Sequence, residues 1–174
     1  MNEEILERLR NEFKDYSGSF TARKADIAAT DLASLPGAPF GTVLCLNLLE
    51  HIDDDLSALR NMECALRPGG KLIVLVPAHP WLYGSMDEMF GHRRRYRRSE
   101  LESKMKGAGF ACRTEYFNLA GIPGWWWRFK VCRSRSFSPF QTGIYRRMLP
   151  LIRGLESTII IPTGLSLLAI GEKE

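Results

Sequence analysis

Two kinds of hydrophobic pattern alternate along this 174-residue chain. Residues 3–14 show the first kind, an amphipathic helix whose apolar positions are Ile5, Leu6, Leu9 and Phe13. Residues 42–47 and 71–77 show the second kind, because each is a continuous apolar run that includes β-branched side chains. Such runs are typical of strands that are buried on both faces of a sheet.

The other elements are predicted from turn and capping signals as well as from hydrophobicity. Strands are predicted at 19–27, 112–117 and 166–170, and helices over 53–66 and 100–107, the latter capped by Ser99. The tetrapeptide Arg67-Pro68-Gly69-Gly70 is predicted to form a turn between helix and strand. This alternation indicates an α/β fold, a single domain over 1–174 with a mostly parallel sheet flanked by helices.

Composition excludes several classes of protein. Apolar residues make up 45% of the chain and charged residues 25%, as in ordinary folded proteins. No apolar run approaches the roughly 18 residues that a membrane-spanning helix needs, and the acidic N-terminus does not resemble a secretory signal. The four cysteines are dispersed without a CxxC pair, which favours reduced thiols in a cytoplasmic protein.

Positive charge is concentrated in one segment. Residues 91–98, GHRRRYRR, hold five arginines, which exceeds the formal net charge of +4 of the whole chain. Nucleic-acid binders usually carry a more extended basic surface, so nucleic acid is not favoured as a partner. The planar guanidinium group of arginine suits a carboxylate or phosphate of a substrate. The alternative interpretation is a solvated loop, which we favour for Arg97 and Arg98.

A polar cluster follows the apolar run 42–47. Asn47, Glu50 and His51 stand where the predicted strand ends, and three consecutive aspartates follow at 53–55. Ligands of α/β sheets bind outside the carboxyl ends of the strands. The sequence therefore predicts that this cluster lies at the rim of a binding site.

Four segments together resemble class I S-adenosylmethionine-dependent methyltransferases of the type 11 and type 12 groups. They are AD at Asp26, VLCLNLLEHIDDD, LRPGGKLIVLVP and KMKGAGF, and the resemblance covers residues 1–118. It implies a Rossmann-like fold and S-adenosylmethionine as the cofactor. It also implies methyl transfer to an oxygen or nitrogen of a small-molecule acceptor, for which anionic and lipid-linked compounds are both considered.

The resemblance implies roles for individual residues. The implied cofactor-binding residues are Asp26 and Ile27 beside the adenine, and Asn47, Leu48, Leu49 and Glu50 beside the methionine. The segment GHRRRY resembles a substrate-side loop, in which His92 would be the catalytic base. The implied substrate contacts are Arg95, Tyr96 and His51.

A metal site is the alternative interpretation of Glu50, His51 and His92. Some O-methyltransferases, of ubiquinone biosynthesis and of small RNA, bind a divalent metal through an ExxEH segment and a later histidine. In this chain Asn47 stands in place of the first carboxylate, and a neutral amide is a weaker ligand for hard cations. From the sequence we therefore assign no metal ligands and interpret Glu50 and His51 as hydrogen-bonded residues of the pocket wall.

One feature of the family has no counterpart in the sequence. Class I methyltransferases carry a GxGxG loop after their first strand, whereas the only GxG here, Gly107-Ala108-Gly109, follows a helical pattern. We therefore predict an incomplete sheet that lacks the first β-α-β unit. In the family strand order, three-two-one-four-five-seven-six, this loss exposes an edge of the fourth strand. Such an edge invites a homodimer or a partner chain that completes the sheet.

Residues 119–163 are predicted to form a lid or substrate-side insertion before the last strand. Trp125, Trp126 and Trp127 cannot all face one core, so at least one of them covers a surface or a ligand. Peripheral membrane contact is one interpretation of these aromatic and neighbouring basic residues, and a lid or oligomer contact is the alternative. For the whole chain, the alternative to an enzyme is a non-catalytic remnant or accessory subunit that acts through the exposed sheet edge.

Overall fold

A computed structural model of the chain describes residues 3–18, 20–136, 143, 147 and 162–174. Within these residues the α-helices are α1 (Glu3–Glu12), α2 (Asp55–Cys64), α3 (Ser85–Phe90), α4 (Arg98–Gly107) and α5 (Gly121–Trp125). The strands are β1 (Phe40–Leu46), β2 (Leu66–Pro77), β3 (Phe110–Phe117) and β4 (Ser166–Lys173). The predicted α/β fold class is confirmed.

The four strands form one sheet in the order β1-β2-β4-β3. β1 pairs with β2 in parallel, and β4 lies antiparallel between β2 and β3. Three strands therefore point the same way, while one of the three strand pairs is parallel and two are antiparallel, so the described sheet is mixed. This order is the one that the resemblance implies for the fourth, fifth, seventh and sixth strands of the family sheet, and the described residues contain no strand that would match its first three.

The core lies between one face of the sheet and the helices α2 and α4. The sheet contributes fully buried side chains that alternate along β2 and β4, namely Leu72, Val74, Val76, Leu167 and Ala169. The helices contribute Ala58, Leu59, Met62, Leu101 and Met105. The alternation follows from the two-residue period of a strand, which directs every second side chain to the same face.

The opposite face of the sheet is partly open. Leu44 and Leu46 of β1 are 62% and 52% exposed, and Leu44 pairs with the half-buried Ile73 of β2. β1 is also an edge strand. The described residues therefore leave an apolar edge and part of an apolar face accessible to another chain, as the sequence predicted.

Two predicted features are wrong. Residues 20–26 form no strand, because this exposed segment has no neighbouring strand to pair with among the described residues. Asp26 instead begins a turn in which its carboxylate accepts a hydrogen bond from the Ala28 N–H at 2.9 Å. Ser99 is not a helix cap, because α4 already begins at Arg98.

The predicted turn at Arg67-Pro68-Gly69-Gly70 is an irregularity inside β2. Phe40 pairs with Leu66, but the next pair joins Thr42 to Lys71. Four residues of β2 therefore lie opposite one residue of β1. Gly69 has a φ of +70°, a backbone conformation that glycine adopts without strain. The irregularity lets the chain pass from α2 into the parallel ladder within a few residues.

The described part of the predicted lid packs against α3. α5 continues directly into a π-helix, Trp126–Val131, whose Phe129 is buried. The Phe129 carbonyl accepts a hydrogen bond from the Ser85 hydroxyl at 3.1 Å. Most of the predicted segment after residue 136 lies outside the described residues. No helix in the described parts of the chain is long and apolar enough to cross a membrane.

We expect Gly84→Ala to displace this segment and lower the free energy of unfolding by about 1–3 kcal/mol, the usual range for overpacking. A Cβ atom at Gly84 would lie 2.5 Å from the Phe129 carbonyl oxygen, which is a rigid backbone atom. Gly124→Ala is the matched control, because a Cβ there meets nothing within 4 Å. Urea denaturation of both variants measures the difference, and equal stabilities would contradict the tight packing at Gly84.

Candidate functional site

A sharp turn after β1 brings Glu50 and His51 to the carboxyl end of the sheet. Asn47 has a φ of +48°, and its N–H donates to the Leu75 carbonyl at 2.9 Å. Asparagine tolerates this left-handed conformation better than most residues, so the chain changes direction here. A 3₁₀-helix, Leu49–His51, follows at once.

Backbone hydrogen bonds hold the loop after α3 against this turn. The Arg93 N–H donates to the Glu50 carbonyl at 2.9 Å, and the Arg93 Nε donates to the His51 carbonyl at 2.9 Å. The His92 N–H donates to the Asp87 carbonyl at 2.9 Å. His92 is consequently held beside Glu50 and His51, although the two segments are far apart in sequence.

These residues line a cavity of about 400 Å³ where β1 and β2 end. The polar side chains on its wall are Asn47, Glu50, His51, His92, Arg95 and Ser166, and the aromatic ones are Phe90 and Trp125. A larger groove of about 660 Å³ lies at the other end of the strands, between Lys71 and Lys173. We place the chemistry in the smaller cavity, because there a buried carboxylate and two imidazoles converge.

Asp87 organises the acceptor side of the cavity. Its Oδ1 accepts hydrogen bonds from the His92 Nδ1 at 2.8 Å and from the Arg95 Nε at 2.9 Å. Its Oδ2 accepts from the Gly84 N–H at 2.9 Å. Burial by itself would raise the pKa of Asp87, but the hydrogen bonds from His92 and Arg95 outweigh it and keep that pKa below its ordinary value.

Glu50 is the least satisfied ionisable group of the site. Its side chain is 0% exposed, and neither carboxylate oxygen has a hydrogen-bond partner among the described residues. The closest charged neighbour is His92, whose Nε2 lies 3.9 Å from Glu50 Oε1. Burial raises the pKa of Glu50, and its own backbone N–H, which approaches the carboxylate without reaching hydrogen-bond geometry, and the nearby His92 oppose that shift only in part.

The two histidines of the site are oriented by acceptors on their Nδ1 atoms. His51 Nδ1 lies 3.2 Å from the Gly91 carbonyl oxygen, and His92 Nδ1 contacts Asp87. The centroids of the two rings are 4.9 Å apart at nearly a right angle. Because the Nδ1 atom of each ring already contacts an acceptor, the Nε2 atom of each ring is the one that can interact with other groups of the site.

Two of the predicted substrate contacts have different surroundings. Arg95 lines the cavity, where its guanidinium carbon lies 4.6 Å from the centroid of the Trp125 ring. Tyr96 is fully buried, and its hydroxyl donates to Asp55 Oδ2 at 2.8 Å with the Leu49 carbonyl at 3.2 Å. Tyr96, unlike Arg95, does not line the cavity, and its hydroxyl is already bonded to Asp55 and Leu49, so we reassign Tyr96 to the support of the site.

The predicted cofactor-binding residues are divided. Asn47 and Glu50 line the cavity, whereas Leu49 is buried in the core and Leu48 is 38% exposed. Asp26 is exposed and does not line the cavity. The carbonyl of its neighbour Ile27 accepts a hydrogen bond from the Asn61 amide of α2 at 2.8 Å.

Sequence reasoning missed Asp87 and the roles of Phe90 and Trp125 in the cavity wall. Asp87 stands five residues before His92, and Gly91 between them has a φ of +73°. That glycine, which ends α3 in a left-handed conformation, was the available signal, because such an ending turns the chain back towards the helix. Nothing in the local sequence shows that Phe90 and Trp125 share one cavity.

Comparison with known proteins identifies the family. The family model described as "Methyltransferase domain" matches residues 3–115. A curated relative, the fumosorinone synthetase of Cordyceps fumosorosea, is 31% identical over 109 residues, which are 61% of this chain and 2% of that protein. The chain therefore spans only a small part of that relative's length.

Solved structures with a similar fold include S-adenosylmethionine-dependent methyltransferases. The structure of the Mesorhizobium loti enzyme matches with a TM-score of 0.62 and 15% identity, covering 99% of this chain and 77% of that one. The structure of the Archaeoglobus fulgidus enzyme matches with a TM-score of 0.52 and 20% identity, covering 94% and 72%. The chain belongs to the methyltransferase-domain family, with the fold of class I S-adenosylmethionine-dependent methyltransferases.

Proposed function

We propose that this chain transfers a methyl group from S-adenosylmethionine to an oxygen or nitrogen of a small-molecule acceptor. The observation that carries the proposal is the cavity at the strand ends, in which Glu50 Oε1, on the turn after β1, lies 3.9 Å from the Nε2 of His92, the histidine that Asp87 orients. Family membership supports the cofactor, and the polar wall of the cavity supports a small acceptor.

The wall residues fit the methionyl end of the cofactor. Asn47 is exposed at the cavity, and the carboxylate of Glu50, on the same wall, has no hydrogen-bond partner among the described residues. Bound S-adenosylmethionine would supply a methyl group activated by its sulfonium. The cavity wall does not include four of the predicted cofactor-binding residues, Leu48, Leu49, Asp26 and Ile27. We therefore propose Asn47 as the residue of this chain that contacts the cofactor. Glu50 would lie between the cofactor and the acceptor.

On the acceptor side the chain has to bind, orient and activate the attacking atom. Phe90 and Trp125 supply the aromatic part of the cavity wall, and an acceptor bound against them would displace water, which favours transfer to the acceptor over side reactions. Asp87 neutralises part of the positive charge of Arg95. The remaining positive charge at the cavity wall suits an anionic acceptor. Asp87 orients the His92 ring through its Nδ1 atom. His92 is the side chain that promotes the loss of the proton from the acceptor.

Calorimetric titration with S-adenosylhomocysteine tests the cofactor part of this proposal. We expect binding at micromolar affinity, and Asn47→Ala to weaken it about tenfold, the usual effect of losing one hydrogen bond to a charged group. Thr42→Ala is the control, because Thr42 is an exposed residue at the start of the same strand. Absence of binding at millimolar ligand would contradict the proposal that this chain alone is a working methyltransferase.

The open edge of β1 favours a second candidate function, an accessory chain that acts through its sheet edge. Leu44 and Leu46 are large apolar side chains with more than half of their surface exposed. Such an edge pairs readily with another strand. The solution mass of the same sample separates the candidates: a dimer that dissociates with Leu44→Glu and fails to bind S-adenosylhomocysteine would support the accessory role.

A further inference from the structure

A fully buried carboxylate without a partner is the feature of this site that the proposed function leaves unexplained. Glu50 is 0% exposed, and both of its oxygens lack hydrogen bonds within the described residues. Burial of an ionised group without compensation is costly, and buried charges are usually paired with an opposite charge or coordinate a metal. Glu50 therefore points to a positively charged ligand.

The two imidazoles beside Glu50 are oriented so that each can offer a nitrogen lone pair to a ligand. A histidine that donates its Nδ1–H to a carbonyl or carboxylate keeps a lone pair on Nε2, and this arrangement orients metal-ligating histidines in proteins. Both rings have such an acceptor, the Gly91 carbonyl for His51 and the Asp87 carboxylate for His92. The Asp87–His92 contact is further fixed because Arg95 holds the same carboxylate oxygen.

The three donor groups converge on one point of the cavity wall. One ligand atom from each of Glu50, His51 and His92 lies within 4.8 Å of the other two, and Glu50 Oε1 is 3.9 Å from His92 Nε2. Metal–ligand distances of about 2.0–2.2 Å require ligand atoms roughly 3–3.5 Å apart. An ion would therefore draw the three ligand atoms closer together than they lie in this structure.

We propose that Glu50, His51 and His92 bind one divalent first-row transition-metal ion, which in turn binds a hydroxyl oxygen of the methyl acceptor. Two imidazole nitrogens and one carboxylate suit ions from Mn²⁺ to Zn²⁺, whereas Mg²⁺ and Ca²⁺ prefer oxygen ligands throughout. Three protein ligands leave coordination positions open towards the cavity. The assignment rests on the proposed methyl transfer, and it narrows the acceptor from an oxygen or nitrogen to a hydroxyl group.

The ion would promote transfer by activating the acceptor oxygen. Coordination lowers the pKa of a bound hydroxyl, so its O–H bond breaks and the proton passes to solvent. A lone pair of that oxygen then forms the new C–O bond to the methyl carbon, while the S–C bond of the cofactor breaks and its electron pair stays on sulfur. His92 acts in this scheme as a ligand, and its orientation by Asp87 serves the ion.

Titration of the chelator-treated chain with Co²⁺ alone tests the site. We expect one equivalent to bind at micromolar affinity with a visible absorption spectrum, and millimolar Mg²⁺ not to displace it. Glu50→Gln and His51→Gln should each weaken binding at least tenfold, because each replaces a ligand by a weaker one of similar size. His79→Gln is the matched control, since His79 is the third histidine of the chain and contacts Thr163 instead.

Several outcomes overturn the metal site, and they differ from those that overturn the methyl transfer. Absence of Co²⁺ binding, equal affinity of Glu50→Gln and wild type, or loss of binding in His79→Gln each contradict the site. Transfer that persists after chelation would also contradict it, and His92 would then act on the acceptor proton directly. Co²⁺ binding without any binding of S-adenosylhomocysteine would retain the ion site and remove the proposed function.

Discussion

Replacement of His92 by alanine should lower the rate of methyl transfer about 100-fold or more, while the affinity for S-adenosylhomocysteine stays within about twofold. His92 Nε2 faces the cavity because Asp87 engages the other ring nitrogen, and nothing in the structure assigns His92 to the cofactor side. The loss is expected whether the imidazole acts on the acceptor directly or through an ion. Release of S-adenosylhomocysteine over a panel of phenols, alcohols and amines measures the rate.

Two further variants sharpen this prediction. His79→Ala should retain the rate, because His79 lies outside the cavity wall and its Nε2 contacts the Thr163 hydroxyl. Asp87→Asn keeps the shape of the side chain but removes the charge that orients His92, so a smaller loss of rate with unchanged cofactor affinity identifies Asp87 as a positioning residue. A His92→Ala chain that keeps half of its activity would contradict the role of His92.

Replacement of Asp55 by alanine should lower the free energy of unfolding by about 2–3 kcal/mol, because a buried charge pair loses its acceptor. Asp55 Oδ2 accepts hydrogen bonds from Lys104 at 2.5 Å, Arg94 at 3.2 Å and the Tyr96 hydroxyl at 2.8 Å. The loss stays below the largest values known for buried pairs, because Arg94 and Lys104 are partly exposed and reach water when Asp55 is removed.

The adjacent Asp53 supplies the control for this effect. Its side chain is 72% exposed and pairs with Arg93, which is 53% exposed, so Asp53→Ala should leave the stability unchanged. Guanidinium denaturation of the two variants beside the wild-type chain measures both effects. If the two replacements cost the same, the buried network around Tyr96 does not stabilise the chain as its contacts indicate.

The three consecutive aspartates show which features of the structure a local sequence pattern can predict and which it cannot. The sequence predicts acidic residues at the start of α2, and Asp54 does cap that helix by accepting a hydrogen bond from the Ser57 N–H at 3.0 Å. The different surroundings of Asp53 and Asp55 come from α4 and the loop before it, which bring Arg94, Tyr96 and Lys104 to one aspartate and leave the other in solvent.

Elements that depend on local signals were predicted well, and elements that depend on a neighbour were not. β1 and β2 were recognisable because a continuous apolar run is typical of strands in a parallel sheet, although one face of β1 stays exposed among the described residues. The segment 20–26 contains a similar mixture of residues, yet a strand requires a paired neighbour, and none stands beside it among the described residues. The position of Ser99 inside α4 reflects the same limitation, since a helix can begin before its best capping residue.

By itself the sequence determined the family, the α/β class and the rim of the sheet as the place of the site, because short motifs and apolar periods are local properties of the chain. Only the tertiary structure decided what each polar residue does there. It buried Tyr96 and Glu50, joined Asp87 to His92 and Arg95, and brought two imidazoles within reach of an unpartnered carboxylate. Burial and partnership depend on segments distant in sequence, and the chemistry of an ionisable group follows from both.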